Sequence, residues 1–544
     1  MQGKVKLAFF VIVLVLYSAL TALLALVLAN IMNAATGDSM RALAEATGLA
    51  AFAVMCYAAL QYTYSVLKNT ILTNATLRLK ENIFTSIMAK SIPRFEERNS
   101  ASYINELTTK VNMVSEMYFA NIISVFHLVV SFTSAVIVTI YFQSALLLVM
   151  VALGFLSYFL SKVIGKGIEE ATKNVSDSTE SYQVGLKEFF SGFRIIKAYA
   201  VFARIKTLHD DKNHDMENKK RAYNLKTAKV ECISHFAGFL STIIIMAVAA
   251  AFSIAGMLTV GAVFAVGHLM GQVTSPIYAV PGILINFRAV NPINHELKTL
   301  LEERAHAEDT VRMSKPPKFI SISDMGFSFE EIPVFKNVRI DLEMGKKYIV
   351  IGETGSGKTT LLSLLLGFYD NYSGKILFDD TEIRDIDKTD LQKMIGSVFQ
   401  ETFLFDDTLI NNLTLYDETI TESDVLRAAE KAGLSDFISD YPGGLNGRIK
   451  ENGKNISGGE RQRVSLTRVL LRKLPIMLLD EVTSNLDNET TEKVENNLLA
   501  LHGTTLIVVT HKYNKSLLEK FDKVILVKNG SAKIIDSNGH ETLI

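Results

Sequence analysis

Uncharged apolar runs of bilayer length fill much of the first half of this 544-residue chain, and they decide what that half can fold into. Inside a bilayer no water satisfies backbone amides, so a crossing segment closes its hydrogen bonds within itself as a helix. Such a helix needs roughly 17–25 apolar residues. Residues 7–32 are almost wholly apolar, and residues 46–67 carry no charge. Residues 119–161 form a run too long for one helix, and the polar dip at Gln143-Ser144 splits it into a hairpin. Residues 232–287 form another, divided near Gly256 to Gly261. The pattern predicts six spans, near 7–35, 46–67, 118–141, 145–163, 232–256 and 261–287. The first reads poorly as a cleavable signal peptide, because its apolar core is too long and no small-residue cleavage pattern precedes a polar region.

Lys and Arg set the orientation. The short connections after the first, third and fifth spans carry almost none, Arg41 excepted. Residues 68–117 carry Lys68, Arg78, Lys80, Lys90, Arg94, Arg98 and Lys110, and residues 162–231 carry more, including Lys219-Lys220-Arg221. Both segments, and both termini, are therefore expected in the cytoplasm, with the protein in the plasma membrane. Each segment is nearly free of Pro and keeps helix-compatible spacing, such as Leu77, Ile83 and Ile87. Two helical arms of ~20 residues would each reach roughly 30 Å beyond the bilayer.

The net charge of -1 conceals an opposition. Residues 1–313 hold 28 Lys and Arg against 22 Asp and Glu, while residues 314–544 hold 28 against 35. A strongly basic nucleic-acid binder is excluded. Only two cysteines, Cys56 and Cys232, both in apolar stretches, argue against a disulfide framework.

Beyond Lys315-Pro316-Pro317-Lys318 the pattern changes to β-prone runs, the last ending in Gly352-Glu353-Thr354-Gly355-Ser356-Gly357-Lys358-Thr359-Thr360. This is a P-loop, set between an apolar strand and a Leu-rich helix. Its glycines let backbone N–H groups turn onto phosphate oxygens, and the following helix N-terminus adds positive charge. Lys358 is expected to neutralise the β- and γ-phosphates of ATP, and Thr359 to ligate Mg²⁺. Ile476-Met477-Leu478-Leu479-Asp480-Glu481 reads as a buried parallel strand ending in two acids. Asp480 is expected to hold Mg²⁺ and Glu481 to act as base toward the attacking water. A second apolar strand precedes His511, and Ser457-Gly458-Gly459-Glu460 opens a helix suited to another phosphate contact.

These motifs, in this order and followed by Ser484-Asn485-Leu486-Asp487, resemble the ATP-binding cassette (ABC) ATPase; with six spans ahead of it, the chain resembles a half-size ABC exporter. The resemblance implies a multidomain membrane protein: an all-α six-helix transmembrane domain with long cytoplasmic helical extensions over residues 1–313, then an α/β P-loop ABC ATPase domain over 314–544. It implies that Phe329 stacks on adenine and that Gln400 contacts Mg²⁺ or the attacking water. His511 joins Glu481 and Gln400 in the catalytic set. The nucleotide is held by Gly352, Thr354 to Thr360, and by Ser457, Gly458, Gly459 and Asp487. Short coupling helices are implied near residues 102–107 and 202–207. A built-in leader-peptide protease is not expected, since six residues precede the first span. The chain departs from the family at Glu460, where Gln is usual, at Phe399 for Pro, and at Lys512-Tyr513 for Arg-Leu.

A P-loop leaves one side of the γ-phosphate open, and the Ser457 segment has no ligand in its own chain. The resemblance implies two cassettes paired head to tail, as a homodimer or with a related half-transporter. The spans carry polar groups (Gln61, Tyr62, Thr63, Tyr64, His127, His235, His268, Gln272), and intramembrane ionisable groups invite a functional reading. Interhelical hydrogen bonding is the competing reading. Without buried acids or Lys, the cavity suits an amphipathic or hydrophobic peptide or drug. A lipid flippase, a membrane-anchored regulatory ATPase and an importer remain as alternatives.

Overall fold

The computed structural model describes residues 2–37, 39–164, 167–302, 311–400, 402–511 and 513–536. The chain forms two compact units, Met1–Met88 with Ser100–Glu303, and Ala89–Asn99 with Arg304–Ile544.

The first unit is helical. α1 spans Gln2–Thr36 and α2 Met40–Met88, while the short α3, Ile92–Glu96, belongs to the second unit. α4 is composite: Ser100–Asn105, two π-helical turns at Glu106–Lys110 and Ser115–Phe119 flanking Val111–Val114, then Ala120–Phe142. α5 (Ser144–Ile164), α6 (Ile168–Ser191), α7 (Phe193–Ala198), α8 (Phe202–Ile254) and α9 (Val260–Glu302) complete it. Between α4 and α5 only Gln143 is extended, with φ -167° and ψ 121°, so the polar dip is a one-residue corner. α2 and α8 run for 49 and 53 residues, roughly 70–80 Å, well beyond a hydrocarbon core of about 30 Å. The short helices that stand apart are α3 and α7. Residues 102–107 lie inside α4, and residues 202–207 are the first turns of α8.

Among the described residues, five of these helices have apolar stretches long enough to cross a membrane: Val5–Thr36, Met40–Met88, Ser102–Phe142, Phe202–Ile254 and Val260–Glu302. The expected fourth span falls on α5, a helix of 21 residues whose described apolar stretch is Ser144–Phe159. α1 shows how the bundle is built. Phe10, Leu14, Ser18, Ala22, Ala25 and Ala29 are buried, while Val11, Ile12, Val15 and Leu16 are exposed. Small residues on the buried stripe let backbones approach. A Cβ on Gly261 would stand 2.0 Å from the Ala29 carbonyl oxygen, and the Gly261 N–H donates to Asn33 Oδ1 at 2.8 Å. That N–H lies in the first turn of α9, where no intrahelical acceptor exists, so α1 completes α9. Elsewhere in this unit Lys110 pairs with Glu296 at 2.6 Å, with the fully buried Glu106 at 4.0 Å, fixing α4 against α9.

In the second unit, a four-stranded antiparallel sheet, order β2-β1-β4-β5, contains β1 (Phe319–Phe329), β2 (Ile332–Glu343), β4 (Ser373–Phe378) and β5 (Thr381–Glu382). A six-stranded sheet runs β12-β11-β3-β10-β9-β6. Its strands are β3 (Lys347–Ile351), β6 (Ile395–Val398), β9 (Ile476–Asp480), β10 (Thr505–Val509), β11 (Lys523–Lys528) and β12 (Ser531–Asp536). All neighbours pair parallel except β11 with β12. β3 and β9 are buried at every position, as strands covered on both faces must be. A lobe holds the strand pair β7 (Asp407–Thr408) and β8 (Arg448–Ile449), and α12 (Leu409–Thr414), α13 (Glu422–Lys431), α14 (Ser435–Asp440) and α15 (Gly458–Arg472), the last also packing Leu466, Val469 and Leu470 into the sheet core. Its core includes Leu404, Leu409, Leu413, Val425, Ile449 and Val464. α10 (Lys358–Leu365) and α11 (Lys388–Gln392) precede that lobe, and α16 (Asn488–Leu499) and α17 (Lys515–Leu518) follow it. Val311 bridges Ile386, and the Met313 N–H donates to Asp390 at 3.2 Å, so the second unit already includes residues ahead of the expected 313/314 boundary.

The α1–α9 contact yields a prediction. Gly261→Val must push the helices apart, at a cost of about 1–3 kcal/mol, and Asn33→Leu strands a buried N–H at a similar cost. Both should lower the thermal midpoint of the detergent-solubilised protein, and a midpoint unchanged in both would reject this packing.

Candidate functional site

The sheet order brings the candidate residues together. β3, β10, β9 and β6 are consecutive and parallel, so the segments after them emerge on one edge, where parallel α/β sheets place their ligands. The P-loop follows β3, His511 follows β10, Glu481 follows β9 and Gln400 follows β6. The register sets Val350 beside Val509, and Val509 beside Asp480.

In the P-loop, Gly357 caps α10 with φ 103°, a left-handed backbone that only glycine adopts without strain. A Cβ there would also lie 2.8 Å from Val334 Cγ1. Lys358 is 5% exposed, and its ammonium donates to the carbonyls of Gly352 and Glu353 at 2.9 and 2.8 Å. Burial holds its pKa below the ordinary lysine value, against the opposing fields of Glu481 and Asp480. Thr359 donates its hydroxyl to Asp480 Oδ2 at 2.7 Å. Burial pushes the Asp480 carboxyl above its ordinary range, with the Thr359 hydrogen bond opposing. Ser356 Oγ is buried without a partner among the described residues, a polar atom left over inside a loop of N–H donors. Thr354 and Gly355 are exposed, and Thr360 is half-buried.

Glu481 sits where three strand ends converge. Its Oε1 lies 2.7 Å from His511 Nε2, and its Oε2 accepts from Gln400 Nε2 at 3.3 Å. Its backbone is left-handed, φ 51°, an uncommon cost for a residue with a Cβ and one that clusters at functional positions. The conformation is held from both sides: the Glu481 N–H donates to Val509 O at 3.1 Å, and its carbonyl accepts from Gln462 Nε2 at 3.2 Å and Ser484 Oγ at 3.0 Å. Gln462 is 4% exposed on α15 and was not singled out from the sequence. Its position inside the Arg461-Gln462-Arg463 run was the available signal.

Other candidates stand apart from this convergence. Ser457 caps α15: its hydroxyl accepts from the Glu460 N–H at 3.3 Å, and Glu460 Oε2 accepts from the Ser457 N–H at 2.6 Å, a reciprocal capping box. No hydrogen bond joins Ser457, Gly458 or Gly459 to the P-loop among the described residues. Asp487 caps α16, accepting from the Thr490 N–H at 2.9 Å, and that hydrogen bonding holds its carboxyl below the usual range. Phe329 ends β1 at 42% exposure, meeting Phe327 and Tyr369 edge to face at 4.9 and 5.4 Å. Tyr369 is a second aromatic at this place, with no motif of its own to mark it. In the membrane unit, His127 Nδ1 lies 3.0 Å from Ser18 Oγ and Gln272 donates to the Thr21 carbonyl at 3.1 Å, interhelical contacts both.

The capping box gives a test. Glu460→Gln keeps an acceptor in place but removes a negative charge from the first turn of α15, worth about 0.3–1 kcal/mol. The nucleotide-free protein should lose that much stability at low salt and less at high salt; a salt-independent change would show that charge is not what Glu460 supplies.

Comparison with known proteins agrees with these elements. Residues 7–277 match the ABC transporter transmembrane region and residues 335–484 the ABC transporter family model. The chain is 28% identical over 495 residues to an ATP-dependent lipid A-core flippase of Syntrophus aciditrophicus, covering 89% of this chain and 80% of that protein. It is 28% identical over 496 residues to one from Saccharophagus degradans, covering 87% and 80%. It is 25% identical to the ABC transporter ATP-binding protein YfiC of Bacillus subtilis, covering 87% and 79%. Among solved structures, a bacterial Atm1-family ABC exporter with ATP bound superposes with a TM-score of 0.79 at 20% identity, covering 98% of this chain and 95% of that one, a likeness of fold. An ABC transmembrane region fused to a P-loop ATPase, with the strand-end residues in register, places this chain among the half-size ABC exporters, membrane transporters whose ATPase drives transport.

Proposed function

We propose that two copies of this chain form an exporter that moves an amphipathic lipid, and that Glu481 is the base of its ATPase. The convergence of His511 and Gln400 on the Glu481 carboxylate carries this reading, because a base needs a fixed direction and here both oxygens are held. With ATP in the P-loop, Lys358 exchanges the carbonyls of Gly352 and Glu353 for phosphate oxygens, and the Ser356 hydroxyl gains the partner it lacks. The Thr359 hydroxyl and Asp480 carboxylate, 2.7 Å apart, are the hard oxygen donors that suit Mg²⁺, with Gln400 as a further candidate; the ion would supply charge neutralisation on the phosphates. Glu481 takes the proton of the attacking water, and His511 keeps the carboxylate aimed. Phe329, aided by Tyr369, offers the adenine a ring.

A chain with both a complete P-loop and an intact Ser457 segment can supply both halves of two ATP sites, so the homodimer is the simplest assembly. Phe190, Phe193, Ile195 and Tyr199, around α7, are exposed apolar side chains that suit burial against a second copy. ATP closes the pair because it binds the closed state better than the open one. The six spans and the cytoplasmic placement of both termini belong to the same proposal, resting on the distribution of Lys and Arg.

The cargo is better read as lipid than as peptide or drug. Relatives covering most of the chain carry the name lipid A-core flippase. Among the polar residues of the spans, His127 and Gln272 already engage neighbouring helices, so neither is free to mark a polar cargo.

Three measurements test this. Glu481→Gln should cut steady-state hydrolysis by about 10²–10⁴-fold while leaving ATP binding intact; a variant that still turns over would remove Glu481 from the role. The lone purified chain should have the mass of a dimer by light scattering, and a monomer without ATPase activity would point to a heterodimer. In proteoliposomes, labelled lipid should cross only with ATP and intact Glu481; transport of peptide or drug without lipid would replace the cargo.

A further inference from the structure

α15 carries Ser457 at its N-cap and, about three turns later, Arg468. The guanidinium is committed in three directions. Nε donates to the Asn412 carbonyl at 2.6 Å, Nη2 to Asn412 Oδ1 at 3.1 Å, and Nη1 to the Phe403 carbonyl at 2.8 Å. All three acceptors are neutral, and among the described residues Arg468 has no carboxylate partner. Burial lowers its pKa to about 10, so the charge stays but sits in poor solvent. A charge placed this way is tolerable only if its acceptors are fixed in position.

They are fixed. Asn412 is fully buried. Its Oδ1 also accepts from the Phe405 N–H at 2.9 Å, and its Nδ2 donates to the Phe405 and Thr408 carbonyls at 3.0 and 3.1 Å. Residues 403–408 are thus gripped by Asn412, and Asn412 and Phe403 by Arg468. Leu404 joins the lobe core that contains Val464 of α15, whereas Val398, six residues earlier, lies in the core of the parallel sheet, to which the later turns of α15 also contribute Leu466, Val469 and Leu470. Gln400, which touches Glu481, lies in sequence between Val398 and Leu404. A second link runs from α15 to the same place, since Gln462 donates to the Glu481 carbonyl.

We propose that Arg468 is a positioning residue: with Asn412 it locks residues 403–408 to α15, so that displacement at Gln400 is delivered to Ser457 through that clasp. The inference rests on the homodimer reading, in which Ser457 meets ATP held by the other chain. A simple core staple would affect stability alone. A positioning clasp affects closure and turnover while the P-loop of the same chain still binds ATP.

The test uses the full-length protein in detergent and five variants. In the Glu481→Gln background, ATP should trap a closed dimer; if it does not, the homodimer reading fails and the clasp is not at fault. If it does, adding Arg468→Lys, which keeps the charge but loses the fork, should lower the trapped fraction at saturating ATP with ATP affinity unchanged. In the otherwise native chain, Arg468→Lys should lower kcat on the order of tenfold to a hundredfold, the scale of a small misplacement. Asn412→Ala should do the same, and the double variant should be no worse than the more severe single one. Equal trapping, additive losses, or a kcat that falls only in step with the thermal midpoint would overturn the proposal. Hydrogen exchange on the native chain covers variants that fail to fold: on ATP binding, protection of residues 403–408 and of α15 should rise together, and independent changes would overturn it equally.

Discussion

Parallel strand pairing is the constraint on which the ATPase unit depends. The ladders β3–β10, β10–β9 and β9–β6 each hold one continuous register, with strands buried on both faces and packed between two apolar layers. That register carries the chemistry with it. Asp480 is the last residue of β9, so its carboxylate reaches Thr359 on α10, and the residue after it turns where Gln400 and His511 also arrive. Apolar side chains at 0–2% exposure in β3, β9 and β10 thus fix the placement of polar ones at their ends.

The membrane unit obeys a different constraint. Lipid contributes no hydrophobic drive between helices, so close backbone approach and the satisfaction of helix ends hold the bundle. The Ala29–Gly261 contact and the Asn33 cap do both at one point. The extensions beyond the bilayer return to the rules of soluble proteins, with a core of Ile83, Ile87, Tyr103, Val111, Val290 and Leu297 beside the Glu106–Lys110–Glu296 cluster.

Much of this was legible from residue order. Charge-free runs mark the spans, Gln143 marks the corner, and the P-loop and the Asp480-Glu481 strand mark the ATPase, because each is a local pattern with one physical reading. Contacts between distant segments were not legible. Nothing local announces that Arg468 answers Asn412, 56 residues away, since its partners include two backbone carbonyls that every residue possesses. Asp487 shows the converse: a motif position expected at the nucleotide also has an ordinary task, capping α16. The short helices fell at Ile92–Glu96 and Phe193–Ala198, near but not at the expected residues, because helix breaks depend on where the chain must turn in space as well as on composition.

The left-handed backbone of Glu481 has a consequence for comparing variants at that position. Glycine there would relieve about 1–2 kcal/mol of conformational strain, so a chain without the carboxylate can fold more stably than the native one. Glutamine retains the strain and alanine retains most of it, whereas a β-branched residue would add to it. With Glu481 in its proposed role as base, thermal robustness and turnover are opposed at this residue. A substitution that improves expression at Glu481 reports relief of the backbone, and carries no information about the chemistry lost with the side chain.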